Sequence, residues 1–232
     1  MITIRKSAER GTSKTDWLDS KHTFSFGDYY DPANESFGPL RVINEDWIKG
    51  GAGFPPHPHR DMEIVTYIID GAISHKDSTG GGGTIKPGEI QRMSAGSGIV
   101  HAEFNASASE TCHLLQIWIM PSKKGITPGY EQKTINPGST TNHFSRIAGP
   151  EPAGNEVRLV QDAEIWVARL DEEVEAVHNL RPGRKAWLQV ARGEVSVGEE
   201  RLMAGDAAAL TDMTQIQVRS RAPSEVLLFD LA

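Results

Sequence analysis

Two pairs of potential metal ligands stand out in the chain. His57 and His59 are two positions apart, with Pro58 between them, and His101 and Glu103 repeat this spacing. In an extended strand, side chains at positions i and i+2 lie on one face, roughly 6.6 Å apart along the strand. Two such strands can bring three imidazoles and one carboxylate to a single point. A lone histidine is more often a solvated or hydrogen-bonded structural residue, so the two paired spacings together predict a metal site.

The predicted set of metal ligands suits a catalytic metal site better than a structural metal site. Three imidazoles and a carboxylate suit first-row metals such as Fe, Ni, Mn, Co, Cu and Zn. Four protein ligands in an octahedral field leave two positions open, and open positions on redox-active iron are what a dioxygenase needs for substrate and O2. A structural zinc site would instead be closed and usually rich in cysteine.

The elements that would position these ligands are short strands joined by turns. Pro58 favours extended geometry at His57 and removes a backbone donor, which suits the start or the edge of a strand. The β-branched residues 64–69 predict a strand that ends at a hairpin signal, Asp70-Gly71. The 23 glycines and 13 prolines are spread between short apolar segments, which favours many strands and tight turns over helices.

Three other polar residues have two interpretations each. Gln116 lies on a predicted apolar strand, where its amide must find a partner, either a bound ligand or the backbone. His22 is interpreted as structural, with a place in a pocket wall as the alternative, close to Phe24 and Phe26. His75 is predicted to be a surface residue or one that supports the ligands without touching the metal.

The composition argues against several classes of protein. The formal net charge of −7 argues against nonspecific binding to nucleic acid, which needs a basic face. No apolar run approaches the length that crosses a bilayer, and the first residues lack the apolar segment of a secretory signal. Cys112 is the single cysteine, so no internal disulfide can form, and we expect a protein of the reducing cytoplasm.

An internal repeat predicts two domains of similar fold. Residues 62–73 resemble residues 184–195 in their apolar pattern and in the glycine of the turn. Residues 123–154 are rich in Pro, Gly, Ser and Thr and are predicted to connect the two domains. We place the domains at residues 1–133 and 134–232.

The second copy of the repeat lacks the ligands of the first. Alignment on matching turn glycines places, at the positions of the four ligands, Asn179, Arg181, Val218 and Ser220. His178 misses this register by one position, which would turn its side chain to the opposite face. The sequence therefore predicts one domain with a metal site and one domain without metal ligands.

The motifs resemble those of the bicupins, and specifically those of the pirin family. The two cupin motifs occupy residues 57–71 and 98–105, although the usual Pro-x-Gly before the second histidine motif is Gly-Ser-Gly at 96–98 here. The features typical of pirins are His-Pro-His-Arg at 57–60, the run that leads into His-Ala-Glu at 94–103, and Leu-Gln-Ile-Trp at 115–118. The resemblance covers essentially the whole chain, with its specific motifs in the first half.

The resemblance implies an all-β protein of two antiparallel, jelly-roll-like cupin barrels, with a single metal in the N-terminal one. It implies a mononuclear centre held by His57, His59, His101 and Glu103. Typical cupins use the glutamate of the first motif, here Glu63, whereas pirins use the glutamate after the second histidine motif. We favour Glu103 because it lies at i+2 from a ligand within one regular strand, and we assign Glu63 a structural or supporting role.

For function, the resemblance implies that the protein is a quercetin 2,3-dioxygenase with a flavonol and O2 as partners. The expected cofactor is one divalent transition metal, with Fe(II) first and Ni, Mn, Co, Cu or Zn as alternatives. Glu103 is the candidate base for the substrate proton, and Phe24, Phe26 and Trp118 are candidate pocket walls. We expect a monomer. Some pirins are instead described as regulators, so the alternatives are a non-catalytic metal- or redox-sensing protein that binds a partner, and a cupin whose metal only stabilises the fold.

Overall fold

Nearly all regular structure in the chain is β-strand. The computed structural model describes residues 1–232. The strands, numbered along the chain, are β1 (Ile2–Arg5), β2 (Gly11–Lys14), β3 (Leu18–His22), β4 (Leu40–Ile48), β5 (Gly53–His59), β6 (Glu63–Asp70), β7 (Ile73–Asp77), β8 (Gly82–Ile85), β9 (Glu89–Ser94), β10 (Ile99–Asn105), β11 (Cys112–Ile119), β12 (Gly129–Thr134), β13 (Ser145–Gly149), β14 (Val157–Arg158), β15 (Ala163–Leu170), β16 (Glu175–Asn179), β17 (Lys185–Arg192), β18 (Glu194–Val197), β19 (Glu200–Met203), β20 (Ala207–Leu210), β21 (Gln215–Ser220) and β22 (Ser224–Leu231). Two single turns of 3-10 helix, Ser7–Glu9 and Pro137–Ser139, are the only helices, and neither could cross a membrane. The prediction of an all-β protein is confirmed.

Contacts between residues divide the chain into two compact units. The N-terminal unit comprises Gly11–Thr134 and Val157–Gln161. The C-terminal unit comprises Met1–Arg10, Ile135–Glu156 and Asp162–Ala232. Each unit therefore combines segments that are distant in the chain.

Two short segments lie outside the domain to which the sequence assigned them. Strand β1 pairs along its length with β20, and this pairing places Met1–Arg10 in the C-terminal unit. The segment Val157–Gln161 belongs to the N-terminal unit, where the Val160 N–H donates to Oε2 of Glu63 over 3.2 Å. Strand pairing and hydrogen bonding, rather than chain order, decide the membership of both segments.

The N-terminal unit is a sandwich of two antiparallel sheets. The larger sheet has the order β12-β9-β6-β11-β4-β3-β2, and the smaller has the order β5-β10-β7-β8. Apolar side chains from both sheets meet in a buried cluster that includes Ile48, Ile68, Ile73 and Leu114. Burial of these side chains supplies most of the driving force for packing the sheets together. The sheets remain separate, so the predicted barrel is an open cupin sandwich.

The C-terminal unit repeats this architecture. Its larger sheet contains the strands β1-β20-β17-β22-β15-β13 in that order, and its smaller sheet has the order β16-β21-β18-β19. The core between the sheets includes Leu188, Val195, Ile216 and Leu228, all fully buried. The predicted pair of cupin folds is thus present in the chain.

The structure corrects the predicted position of His178. On β16, Ala176 and His178 are buried while the alternate residues are exposed, so His178 faces the interior. It lies opposite Ile216 on β21, as His59 lies opposite Ile99 on β10. The glycine-based alignment fails in this strand because the connection before β17 is longer in the second copy. The Nε2 atom of His178 is 2.9 Å from a carboxylate oxygen of Asp230.

Candidate metal centre

Strand pairing brings the two predicted ligand pairs together. On β5 and β10, which are antiparallel neighbours, His57 lies directly opposite His101 and His59 lies opposite Ile99. A bulge between His101 and Glu103 shifts the register by one residue. On β10, His101 and Glu103 are both buried, and Ile99 and Asn105 complete the buried side of the alternation. The period of two therefore turns both β10 ligands to the interior.

Three of the four predicted ligands form one cluster. Potential ligand atoms of His57, His59 and His101 all lie within 4.8 Å of one another. The ring centroids are 4.4 Å apart for His57 and His101, and 4.9 Å apart for His59 and His101. Burial, reinforced by the neighbouring imidazoles, lowers the pKa of His59 to about 4 and that of His101 to about 2. Both rings are neutral near pH 7, which is the form that binds a metal.

A chain of hydrogen bonds sets the tautomer of His101. Oδ2 of Asp77 is 3.1 Å from Nε2 of His75, and Nδ1 of His75 is 3.3 Å from Nδ1 of His101. Burial alone would raise the pKa of Asp77, but hydrogen bonds from Thr79, His75 and Gly81 lower it, so this carboxylate only accepts. His75 must then carry its proton on Nε2, and His101 must carry its proton on Nδ1. The lone pair of His101 is thereby placed on Nε2.

The Nε2 atom of His101 fits the role of a metal ligand. It is buried and has no hydrogen-bond partner within the chain, although His57 and His59 lie beside it. Buried polar atoms are nearly always satisfied, and an orphaned one suggests an ion or water at the site. Three converging imidazoles, one with an unpartnered buried nitrogen, are compatible with a first-row transition metal.

Glu103 lies in the same interior but in a different cluster. Its Oε2 accepts a hydrogen bond of 2.9 Å from Nε2 of Gln116, and its Oε1 accepts one of 3.4 Å from Oγ1 of Thr66. A carboxylate oxygen of Glu103 and ring nitrogens of His75 and His101 lie within 4.8 Å of one another. Burial, followed by the charge of Asp46, raises the pKa of Glu103 to about 7.

The other residues of the sequence analysis take distinct positions. Glu63 is fully buried, belongs to neither cluster, and accepts a hydrogen bond from the backbone N–H of Val160. Gln116 directs its amide at Glu103, which corresponds to the ligand-orienting interpretation. His75 is buried behind His101 and touches it, which corresponds to the supporting interpretation.

A cavity of about 390 Å³ opens beside the cluster. Its lining comprises Ser13, Leu18, Ser20, His22, Phe26, Asn44, Asp46, Phe54, His57, His59, Glu103, Gln116 and Trp118. The Trp118 ring packs edge-on against His59 at 4.9 Å and against Phe26 at 5.4 Å. Two of the three predicted aromatic walls therefore line the cavity, and the third, Phe24, is buried outside it.

Sequence reasoning missed part of the cavity wall. Asn44 and Asp46 line it from β4, and Ser20 hydrogen-bonds Asp46 from β3. His22 also lines the cavity, which corresponds to the alternative rather than the preferred interpretation. A usable signal was present, since Asn44 and Asp46 are polar residues at i and i+2 within a strand that is otherwise largely apolar.

The chain matches two family models and several known proteins. The model for pirin matches residues 3–119, and the model for the quercetinase C-terminal cupin domain matches residues 146–231. A protein of Escherichia coli K12 named quercetin 2,3-dioxygenase is 43% identical over 231 residues, covering 100% of this chain and 99% of that protein. Both family models and this relative together span the two units of the fold.

Solved structures agree with this relationship. The crystal structure of YhhW from Escherichia coli has a TM-score of 0.96 at 43% identity and covers 100% of this chain and 98% of that one. The bacterial pirin YhhW in complex with nickel(II), also from Escherichia coli, has a TM-score of 0.94 at 42% identity, with coverage of 100% and 99%. In sequence and in fold alike, this chain belongs to the pirin family.

Proposed function

We propose that the chain holds one divalent transition metal through His57, His59, His101 and Glu103 and cleaves a flavonol such as quercetin with O2. The observation that carries this proposal is the buried, unpartnered Nε2 of His101 beside two further imidazoles. Two relationships support it: a relative at 43% identity is named quercetin 2,3-dioxygenase, and a pirin at 42% identity forms a complex with nickel(II). Fe(II) is our first choice for the native metal, and Ni(II) is the main alternative.

Different side chains of the cavity would bind the metal and the substrate. When bound, the metal would supply a Lewis acid and redox chemistry for the flavonol and O2. His57, His59 and His101 would hold it through ring nitrogens, and Glu103 through its carboxylate. Phe26 and Trp118 offer apolar faces to a planar ring and exclude water from the site, since aromatic side chains prefer stacked or edge-to-face contacts.

Glu103 is the candidate acceptor for the proton of the flavonol 3-hydroxyl. A general base must lie within hydrogen-bond reach of the proton that it takes up, and Glu103 lines the cavity in which the flavonol would bind. Gln116 and Thr66 donate hydrogen bonds to its two oxygens and orient it inside the cavity. The deprotonated flavonol is electron-rich and suited to reaction with O2, and both atoms of O2 would be incorporated into the cleavage product.

We further propose that the protein acts as a monomer in the cytoplasm.

Its single thiol, on Cys112, is fully buried, and burial raises the pKa of that thiol to about 12. A thiol in this state is a packing group rather than a reactive one. The proposed chemistry therefore uses imidazole and carboxylate groups alone.

The test is the loss of quercetin absorbance in air with protein loaded separately with Fe(II), Mn(II), Ni(II), Co(II) and Cu(II). At least one form is expected to consume quercetin faster than the same concentration of free metal. If none does, the enzyme proposal fails for this substrate. A metal-dependent binding protein without turnover would then be the better account.

A further inference from the structure

The cavity has a polar wall in addition to the imidazoles and Glu103. Asn44 and Asp46 are two positions apart on β4, so their side chains share a face of the sheet. Both line the cavity, yet they are only 4% and 3% exposed. Polar groups this deeply buried normally have all their hydrogen-bonding atoms satisfied. An atom of these two side chains that lacks a hydrogen-bond partner within the chain is therefore a candidate for binding a ligand.

Only the oxygen of the Asn44 amide is hydrogen-bonded within the chain. Its Oδ1 is 2.8 Å from Nδ1 of His22, and Oγ of Ser13 is 2.8 Å from Nε2 of that ring. In this arrangement Nδ1 of His22 donates to Asn44 and Nε2 accepts from Ser13. The Nδ2 group of Asn44, which carries two protons, makes no hydrogen bond within the chain. It is available to an acceptor in the cavity.

Asp46 shows the complementary pattern. Its Oδ1 accepts a hydrogen bond from Oγ of Ser20, while its Oδ2 accepts none within the chain. Burial raises the pKa of this carboxyl to about 7. When this carboxyl is ionised, a donor supplied by a ligand would satisfy Oδ2 and compensate for the loss of water around it.

We infer that Asn44 and Asp46 recognise ring hydroxyl groups of the substrate, so that the cavity selects planar aromatic molecules that carry several hydroxyls. This inference rests on the proposed function, because it takes the ligand to be a flavonol. One phenolic hydroxyl donates to Oδ2 of Asp46, and a neighbouring oxygen accepts from Nδ2 of Asn44. A hydroxyl group both donates and accepts, so adjacent hydroxyls on one ring match this pair.

The aromatic walls fit the same ligand class. Phe26 and Trp118 both line the cavity, and their rings contact each other edge to face at 5.4 Å. Such rings bury a flat apolar body but cannot distinguish one flavonol from another. Discrimination by hydroxylation pattern must come from polar atoms, because a buried hydrogen-bonding group left without its partner is costly.

The inference can be tested by binding alone. Metal-loaded protein is titrated without oxygen, to prevent turnover, with quercetin and with 3-hydroxyflavone, which lacks every ring hydroxyl except the one at position 3. Asp46→Asn keeps hydrogen bonding but removes the charge, and Asp46→Leu removes both. Asn44→Leu tests the second residue independently. Asp19→Asn is the matched control, since Asp19 lies on β3 and pairs with Lys14 at the surface.

We expect a graded loss that is specific to quercetin. Its Kd should rise several-fold in Asp46→Asn and at least about tenfold in Asp46→Leu and Asn44→Leu. The Kd of 3-hydroxyflavone should change by less than about twofold in all variants, because it makes none of these bonds. Retained metal content and an unchanged melting temperature would show that a variant is folded.

Two results would overturn the inference. The inference is wrong if the variants bind both ligands as tightly as the unaltered protein does, or if they lose affinity for both ligands equally. Asn44 and Asp46 would then not recognise hydroxyl groups, and the proposed reaction would be unaffected. If the unaltered, metal-loaded protein binds neither ligand, the flavonol proposal fails and this inference fails with it. If quercetin binds with the expected pattern but is not consumed, the recognition site stands and the dioxygenase proposal fails.

Discussion

His75 and His101 face each other through their Nδ1 atoms at 3.3 Å, behind the cavity. On its other side, His75 bonds to Asp77, which in turn accepts from the backbone N–H groups of Thr79 and Gly81 in the following turn. The glycine-rich hairpin is thus linked to a proposed metal ligand through one imidazole. Groups that fix the tautomer of a ligating histidine commonly decide metal affinity.

Removal of this link should weaken metal binding. In His75→Phe the ring that stacks on Tyr130 is kept, but Nδ1–H of His101 loses its acceptor. We expect the metal affinity, measured by competition with a chelator, to fall roughly 10- to 100-fold. His75→Gln offers an amide oxygen at a similar place and should restore part of the affinity.

Two further measurements separate positioning from general damage. The 15N chemical shifts of His101 in the metal-free protein should report a proton on Nδ1, and this preference should weaken in His75→Phe. His113→Gln is the control, because His113 pairs with Glu45 and stacks on Trp47 outside the cavity. Equal affinities for His75→Phe and the control would refute the positioning role.

Substitutions should distinguish a proposed metal ligand, His101, from the glutamate of the first motif, Glu63. His101→Ala removes the buried nitrogen at the centre of the cluster, so we expect the loss of stoichiometric metal after desalting, measured by elemental analysis. Glu63→Gln should retain most of the metal, since Glu63 bonds to the backbone of Val160 away from the cluster. Full retention of metal in His101→Ala would contradict the proposed ligand set.

Glu103→Gln should separate metal binding from turnover. The amide can still lie beside Gln116, but it cannot take up the substrate proton. Loss of a positioned base typically costs about 10²- to 10⁴-fold in rate, and we expect a fall of at least about 100-fold in O2 uptake with some metal retained. Glu63→Gln, buried but outside the cavity, is the control. Near-normal O2 uptake by Glu103→Gln would exclude this carboxylate as the base.

Asp46→Asn should stabilise the metal-free protein, in contrast to its expected effect on binding. Burial raises the pKa of Asp46 to about 7 in the fold, whereas the unfolded chain releases this proton near pH 4. Between these values the folded state holds a proton that the unfolded state has lost, so this residue destabilises the fold increasingly as the pH rises. The penalty is complete above pH 7.

The free energy of unfolding, measured by denaturant, should therefore favour the variant more at pH 8 than at pH 4.5. The gain has an upper limit of about 4 kcal/mol, from about three units of pKa shift. The titrations of His59 and His101 occur in both proteins, so they largely cancel in this comparison. The pKa of Glu103 is raised partly by the charge of Asp46, so it falls in the variant and adds to the gain at high pH. A stability difference that does not change with pH would show that Asp46 is not buried as a charge.

Strand parity explains why much of the site could be predicted. His57, His59, His101 and Glu103 obey the period of two, and the side chains on both strands turn toward one interior without any knowledge of the remaining fold. The orientation of Glu103 could not be predicted in this way. Its carboxylate is directed by Gln116, which lies on a different strand, and such contacts depend on sheet order rather than spacing.

Register explains the remaining differences. Alignment on turn glycines misplaces His178 because it assumes equal spacing, whereas His178 lies 15 residues before Gly193 and His59 lies 12 residues before Gly71. An odd difference in spacing reverses the face on which a strand side chain lies. Asn44 and Asp46 were overlooked because a polar residue in an apolar strand is usually satisfied by its neighbours. Here the sheet places Gln116 beside Asn44, and both reach the same cavity.

The most direct test of the proposed dioxygenase reaction is to measure how much 18O from 18O2 enters the cleavage product. Protein loaded with Fe(II), and in parallel with Ni(II), is given quercetin under 18O2, and the cleavage product is analysed by mass spectrometry. We predict that both labelled atoms enter the product with the unaltered protein, and that His101→Ala forms no product above the level of free metal. Product with one label or none, or equal product from His101→Ala, would contradict a dioxygenase reaction at this site.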